Sequence, residues 1–207
     1  RAHHACLLDC RTLTVVHRPL ALDGAAFVLI DTGVRHSLAE SAYNTRVEEC
    51  RRAVAALRTA TGIGTHLRDY TLADLAAAQD TLDATALRRA RHVIGENARV
   101  HAACDALEAG AMGVLGTLLN ASHASLRDDY DVSCTELDLV AEAAQAHPAC
   151  FGARMMGGGF GGAVLALVAA DAQVAFCGAM AHLPGLACPR LLPIALRPAR
   201  GTSLRHL

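Results

Sequence analysis

The stretch "MMGGGFGGAVLALV", residues 155–168, decides the fold. Gly157, Gly159 and Gly162 satisfy the spacing G-x-G-x-x-G, which in a dinucleotide-binding fold opens a helix whose N-terminus receives a pyrophosphate. The segment after these glycines does not suit such a helix, because Ala163 to Ala170 is a short apolar run with no polar stripe. A run of that kind reads as a buried strand. The glycines therefore join two strands, "CFGARMM" before and "AVLALVAA" after. A loop without Cβ atoms can bring backbone N–H groups close to an anion, and a tight strand connection needs the same permissive backbone. The residues alone leave both roles open for Gly157, Gly158, Gly159, Gly161 and Gly162, with Phe160 as the single anchor.

Working outward, "ACLLDCRTLTVVHRPL" (residues 5–20) reads as a hairpin stopped by Pro19. Ala26 to Ile30 reads as a short buried strand ending in the polar turn Asp31-Thr32-Gly33. Val47, Cys50, Val54 and Leu57 fall at helical spacing and predict a helix over Asn44–Ala60. Thr71 with Asp74 forms an N-cap with an acidic first turn. A long helix is expected over Ala84–Ala109, stopped by Gly110 and interrupted in pattern by Gly95, with another over Met112–Leu126. Ser133 and Glu136 predict a capping box for Thr135–Ala146, closed by Pro148. Asp171 is expected to cap a short helix, and "RLLPIALRP" to form a last strand. Helices grouped between strands, without regular alternation, indicate an α+β fold.

Composition narrows the function. In 207 residues, 53% are hydrophobic and 19% charged, so the chain folds around a sizeable core. Aromatics are 3% with no Trp, leaving Ala, Val and Leu to build that core. A net charge of −1 gives no electrostatic footprint for nucleic acid or an anionic membrane. No apolar run approaches the roughly 20 residues of a membrane span. The 8 Cys lack any C-x-x-C pair and read as buried free thiols, which places the chain in a reducing, cytoplasmic compartment. The N-terminus lacks a signal peptide and does not begin with Met, so the chain reads as a fragment.

Three further clusters invite chemistry. Ser122, His123, Ser125, Asp128 and Asp129 suggest a Ser-His-Asp triad, but sequence proximity does not assemble one, and polar groups ending a helix explain them better. His3, His4, Cys6 and Cys10 suggest a metal site. They lack a second ligand pair, and on a strand Cys6 and Cys10 share one face, as core residues would. Asp31, Thr32, Arg35, His36 and Tyr43 come after a buried strand, where ligand groups are usually presented.

Three segments in order, "DTGVRHSLAESAYNTRVEEC", "SHASLRDDYDVSCTELD" and "GARMMGGGFGG", closely resemble the galactokinases of the GHMP kinase superfamily. "HHACLLDCRTL" resembles the segment after that family's catalytic region, so the resemblance covers nearly the whole chain and weakens after about Phe176. It implies a GHMP-kinase C-terminal domain with a ferredoxin-like antiparallel sheet and helices at residues 31–207. Residues 1–30 would be remnant strands of an N-terminal domain, the missing partner from the same polypeptide. The implied reaction is ATP-dependent phosphorylation of the anomeric hydroxyl of galactose, with Mg²⁺. Tyr43 matches the family tyrosine that contacts the sugar, Arg35 is a candidate cleft-lining residue, and Gly157–Gly162 would wall the active site. The family's ATP loop, sugar-binding Glu, His and Asp, and catalytic Asp have no match here. No catalytic residue or metal ligand is thus expected in this chain, and it is expected to be inactive alone. Met156 stands where the family carries Thr, and Asn44 and Thr135 stand at proline positions. A galactose sensor without turnover and another small-molecule kinase of the superfamily are the alternatives.

Overall fold

The computed structural model describes residues 3–35, 39–183 and 192–196. It opens with a hairpin, β1 (His4–Asp9) and β2 (Thr14–Pro19). A second sheet holds β3 (Ala25–Arg35), β4 (Cys150–Met156), β5 (Gly161–Ala169) and β6 (Leu192–Leu196), all antiparallel, in the order β4-β5-β3-β6. Between β3 and β4 lie α1 (Ala39–Thr61), α2 (Leu72–Ala77), α3 (Ala84–Glu108), α4 (Met112–Ser125) and α5 (Thr135–Ala146). α6 (Gln173–Met180) joins β5 to β6. Strand, helices, hairpin, helix, strand, with the first strand between the third and fourth, is the ferredoxin-like arrangement that the resemblance implies.

Alternation along the strands decides which residues meet which layer. Val28 and Ile30 of β3, and Val164, Ala166 and Val168 of β5, join Leu137, Val140, Ala144 and Phe176 in one core beneath α5 and α6. Leu167 and Phe27 turn the other way and pack with Met112, Leu115 and Ala106 of α4 and α3. A third core lies among α1, α2 and α3, built on Ala53, Leu57, Leu75, Ala86, Ala90 and Ile94. Small alanines let these helices approach closely, which is how a chain with few aromatics fills its interior.

β4 is a sheet edge, and its outward polar groups are met by side chains. Ala153 N–H donates to Asn120 Oδ1 (2.8 Å) and its carbonyl accepts from Gln145 (2.9 Å). Met155 N–H donates to His123 Nδ1 (3.3 Å), while Arg154 Nε donates to the Met155 carbonyl (2.8 Å). An unpaired edge inside a domain forfeits hydrogen bonds and invites pairing with other chains, so α4 and α5 complete the sheet chemically.

Several expectations are corrected here. β3 does not turn at Asp31 but continues to Arg35, with a register irregularity between those residues. Asp31 Oδ1 accepts from Gly33 N–H (2.9 Å), so the polar segment makes a bulge within the strand. The first long helix begins at Ala39, and α3 runs unbroken through Gly95, whose missing Cβ leaves room for the Arg99 guanidinium. Ser133 makes no capping box: Cys134 holds the N-cap of α5, and Ser133 Oγ donates to Asp138 instead. Ala172, not Asp171, holds the N-cap of α6. Cys6 and Cys10 are exposed, because the hairpin has only one covered face, and the other described thiols are half-buried. Cys10 also lies past the end of β1, so the two do not share a strand face. Cys188 and the tail "PARGTSLRHL" lie outside the described residues.

α4 and β4 touch through glycine. A Cβ at Gly116 would sit 2.0 Å from the Phe151 carbonyl oxygen, and one at Gly152 would sit 2.0 Å from the Gly116 oxygen. Gly116→Ala or Gly152→Ala is therefore expected to lower stability by about 1–3 kcal/mol or more, read as a reduced urea midpoint at unchanged slope. Gly113→Ala in the same helix, where a Cβ meets nothing, is expected to be neutral or slightly stabilising.

Candidate functional site

The loop between β4 and β5 is held from behind and open in front. Phe160 N–H donates to the Val132 carbonyl (2.8 Å), and Thr32 Oγ1 donates to the Gly162 carbonyl (2.6 Å). Thr32 is 1% exposed, so the bulge in β3 delivers a buried hydroxyl to the end of the loop. Gly159 has φ +87°, and a Cβ there would lie 2.2 Å from the Val132 oxygen. Glycine is required at that point by space and by backbone conformation together. A Cβ at Gly157 or Gly158 would meet nothing, so this side of the loop faces open space. A fixed backbone with an accessible glycine face can bring N–H groups up to an anion.

Arg35 closes β3 directly opposite Gly161, although its side chain lies outside the described residues. Tyr43 is 61% exposed on α1, the next helix in the chain. His36 lies outside the described residues. The expected loop residues and Arg35 thus share one end of the sheet, and the chain passes directly from there to the helix bearing Tyr43.

Behind this end lies an ionic cluster that the sequence pattern did not reveal. Arg89 on α3 is 2% exposed and spends its fork on three acceptors. Nε donates to Glu49 (2.7 Å), Nη1 to the Asp129 carbonyl (2.6 Å) and Nη2 to Asp131 (3.0 Å). Arg46 also reaches Glu49 (2.9 Å), Asp131 (3.0 Å) and the Tyr130 carbonyl (3.1 Å). Two cations and two carboxylates balance, and planar guanidinium groups suit several oxygens at once. The available signal was position: Arg89 falls on the stripe of α3 that also carries Ala86, Ala90 and Ile94, where a charge needs partners.

The Ser, His and Asp residues at 122–129, expected to be polar groups ending a helix, lie at the end of α4 and in the turn after it. Ser122 donates to Glu96 (2.6 Å), and His123 caps the β4 edge with its Nε2 3.4 Å from Asp138. Ser125 donates to Asp129 (3.2 Å) and sits 3.0 Å from His92 Nδ1, which gives that nitrogen the proton. Asp128 pairs with Arg127. No nucleophile–base–orienter line forms from these residues. His92 stacks on Tyr130 (4.5 Å between rings), where burial pushes its pKa down to about 4. Burial pushes the Tyr130 phenol up to about 12, with Cys50 and Tyr43 adding to it. Among the described residues no group of three or more His, Cys, Asp or Glu could hold a metal ion, and no helix is long and apolar enough to cross a membrane. A cavity of about 890 Å³ lies between the β1–β2 hairpin and α1 and α3, with Val16, Val47, Val54, Val93 and Tyr130 in its lining.

Comparison with known proteins settles the family of this architecture. Residues 103–181 match the family model described as GHMP kinases C terminal. The chain carries a GHMP kinase C-terminal domain. It is 49% identical over 180 residues to the galactokinase of Chloroflexus aurantiacus, covering 86% of this chain and 46% of that protein. It is 44% identical over 169 residues to the galactokinase of Homo sapiens, covering 82% of this chain and 42% of that protein. The solved galactokinase of Lactococcus lactis, complexed with galactose, superposes with a TM-score of 0.88 at 35% identity, over 98% of this chain and 53% of that one. A mevalonate kinase of L. major shares the fold, with a TM-score of 0.54 at 21% identity. The chain spans about half the length of the relatives it matches.

The GHMP domain yields two expectations. Gly159→Ala is expected to displace the loop and cost roughly 2–4 kcal/mol, since a backbone clash adds to the left-handed penalty. Gly157→Ala, with φ +84° and open space, is expected to cost only about 1–2 kcal/mol; paired thermal melts separate the two. His92 is neutral when folded but protonates near its ordinary value of 6.5 when unfolded. The unfolded chain therefore takes up more protons below about pH 6.5, so the stabilisation is complete above that pH and is lost as pH falls toward 4. His92→Phe is expected to flatten the stability profile between pH 6.5 and 5, measured by urea unfolding.

Proposed function

We propose that this chain is the C-terminal portion of a galactokinase, which transfers the γ-phosphoryl group of ATP to the anomeric hydroxyl of galactose. The superposition on a galactose-bound galactokinase, over nearly all of this chain, carries the reading. The identity to curated galactokinases over more than four-fifths of the chain supports it. The sheet end described above gives the reading a physical basis. Phosphoryl transfer is chiefly a matter of positioning charged oxygens, and a braced glycine loop with open backbone suits that task.

In this reading Gly157–Gly162 forms a wall of the active site rather than the grip on the nucleotide. The exposed Tyr43 hydroxyl hydrogen-bonds a galactose hydroxyl, and Arg35 lines the cleft opposite Gly161. ATP and Mg²⁺ take their main ligands from an N-terminal domain. Bound Mg²⁺ would supply charge neutralisation at the transferred phosphate. The hairpin leaves Leu8 and Val15, paired across its two strands, about half exposed, and this apolar face is the one we assign to contact with that N-terminal domain. Such an enzyme works in the cytoplasm.

Galactose-dependent ADP formation tests the proposal. The full-length polypeptide is expected to be active, and this chain alone inactive. In the full-length protein, Tyr43→Phe is expected to raise the galactose KM by about 5- to 20-fold, the cost of one lost hydrogen bond, with kcat changed little. An unchanged KM removes Tyr43 from the sugar site. ADP formation by this chain alone would overturn the assignment of the catalytic groups upstream.

A further inference from the structure

Arg89 has no part in the chemistry proposed above, yet its burial demands a reason. A buried ion pair is rarely worth more than well-packed apolar side chains of the same volume, so stability alone accounts poorly for a guanidinium among the alanines of α3. Its partners point to position instead. One is Glu49 on α1; the other two, the Asp129 carbonyl and the Asp131 carboxylate, belong to the turn after α4. That turn, Leu126–Tyr130, is a single wide π-helical turn and ends with Asp131 in the left-handed region at φ 58°. Val132 comes next, with its N–H bonded back to the Leu126 carbonyl (3.1 Å) and its own carbonyl holding Phe160 N–H. The same carbonyl oxygen is the atom that forbids a Cβ at Gly159.

We infer that Arg89 is a positioning residue: its fork fixes the Asp129–Val132 turn, and the Val132 carbonyl then sets where the glycine loop stands. The path from guanidinium to loop runs through two consecutive residues and two hydrogen bonds. Lysine cannot replace it, because one ammonium cannot hold a carboxylate on α1 and two oxygens of the turn in one plane. Arg46 reaches Asp131 and the Tyr130 carbonyl as well, but not the Asp129 carbonyl. The catalytic half of the inference rests on the galactokinase reading; the structural half does not.

The test therefore has two readouts. In this chain, Arg89→Lys is expected to accelerate amide hydrogen exchange at Phe160 about five- to tenfold beyond any change at β5 core amides such as Val164 and Val168. In the full-length polypeptide, the same change is expected to lower kcat for galactose-dependent ADP formation roughly 10- to 100-fold, with the galactose KM within about twofold. Arg51→Lys, which alters an exposed ion pair to Glu48 within α1, is the control and should leave both readouts unmoved. If Arg89→Lys does not fold, Asp131→Asn removes the ionic link from an exposed side chain and should give the same local exchange signature. Exchange at Phe160 that rises only in step with the β5 amides refutes the inference. A wild-type protein that forms no ADP with galactose refutes the galactokinase reading, and leaves the exchange result to decide the role of Arg89.

Discussion

A strand at the edge of a sheet must satisfy its outward backbone groups, and in β4 that need organises much of the domain. Asn120 and His123 come from α4, Gln145 comes from α5, and Arg154 folds back from β4 itself. Each bond is worth only about 1 kcal/mol net, yet leaving one of these groups buried and unmet costs roughly 1–3 kcal/mol. The edge therefore dictates which face of α4 turns inward and how closely it approaches, and Gly116 and Gly152 remove the atoms that would prevent contact. With β4 fixed on one side by helices and on the other by β5, the loop joining the two strands inherits its place.

The loop itself is neither floppy nor gripped on all sides. Thr32 and Val132 hold it from behind with hydrogen bonds from two distant parts of the chain, and its Gly157–Gly158 face stays clear. Pre-organisation of this kind removes reorganisation from the moment a charged ligand arrives. The ionic cluster around Arg89 extends the bracing to α1 and α3. One corner of the domain thus combines a sheet end, a left-handed residue and a buried fork of five N–H donors, and all three converge on Val132.

Much of the fold was legible because local physics and tertiary structure agreed. The two strands around the glycines, the hairpin ended by Pro19, the Thr71–Asp74 cap and the long α3 all come from periodicity and capping chemistry. The misreadings have a common cause. Asp31-Thr32-Gly33 carries turn residues, yet pairing with β5 resumes at Arg35, keeps the strand going and turns the polar residues into a bulge. Ser133 has the spacing of a cap, but a better acceptor at Asp138 takes its hydroxyl. The thiols of β1 and its turn were expected to be buried, yet a two-stranded sheet covers at most one face.

The candidate site divides in the same way. By itself the sequence determined that the glycines join two strands, that the chain is α+β, and that its ordered segments resemble galactokinases, because these depend on spacing, breakers and short-range pattern. Only the tertiary structure decided that Gly159 must lack a side chain, that His123 serves a sheet edge, and that Arg89 is neutralised by Glu49 and Asp131. Those facts rest on atoms within about 3 Å of each other but up to 42 residues apart in the chain. Distances of that kind are set by how the layers pack, and no local pattern encodes them.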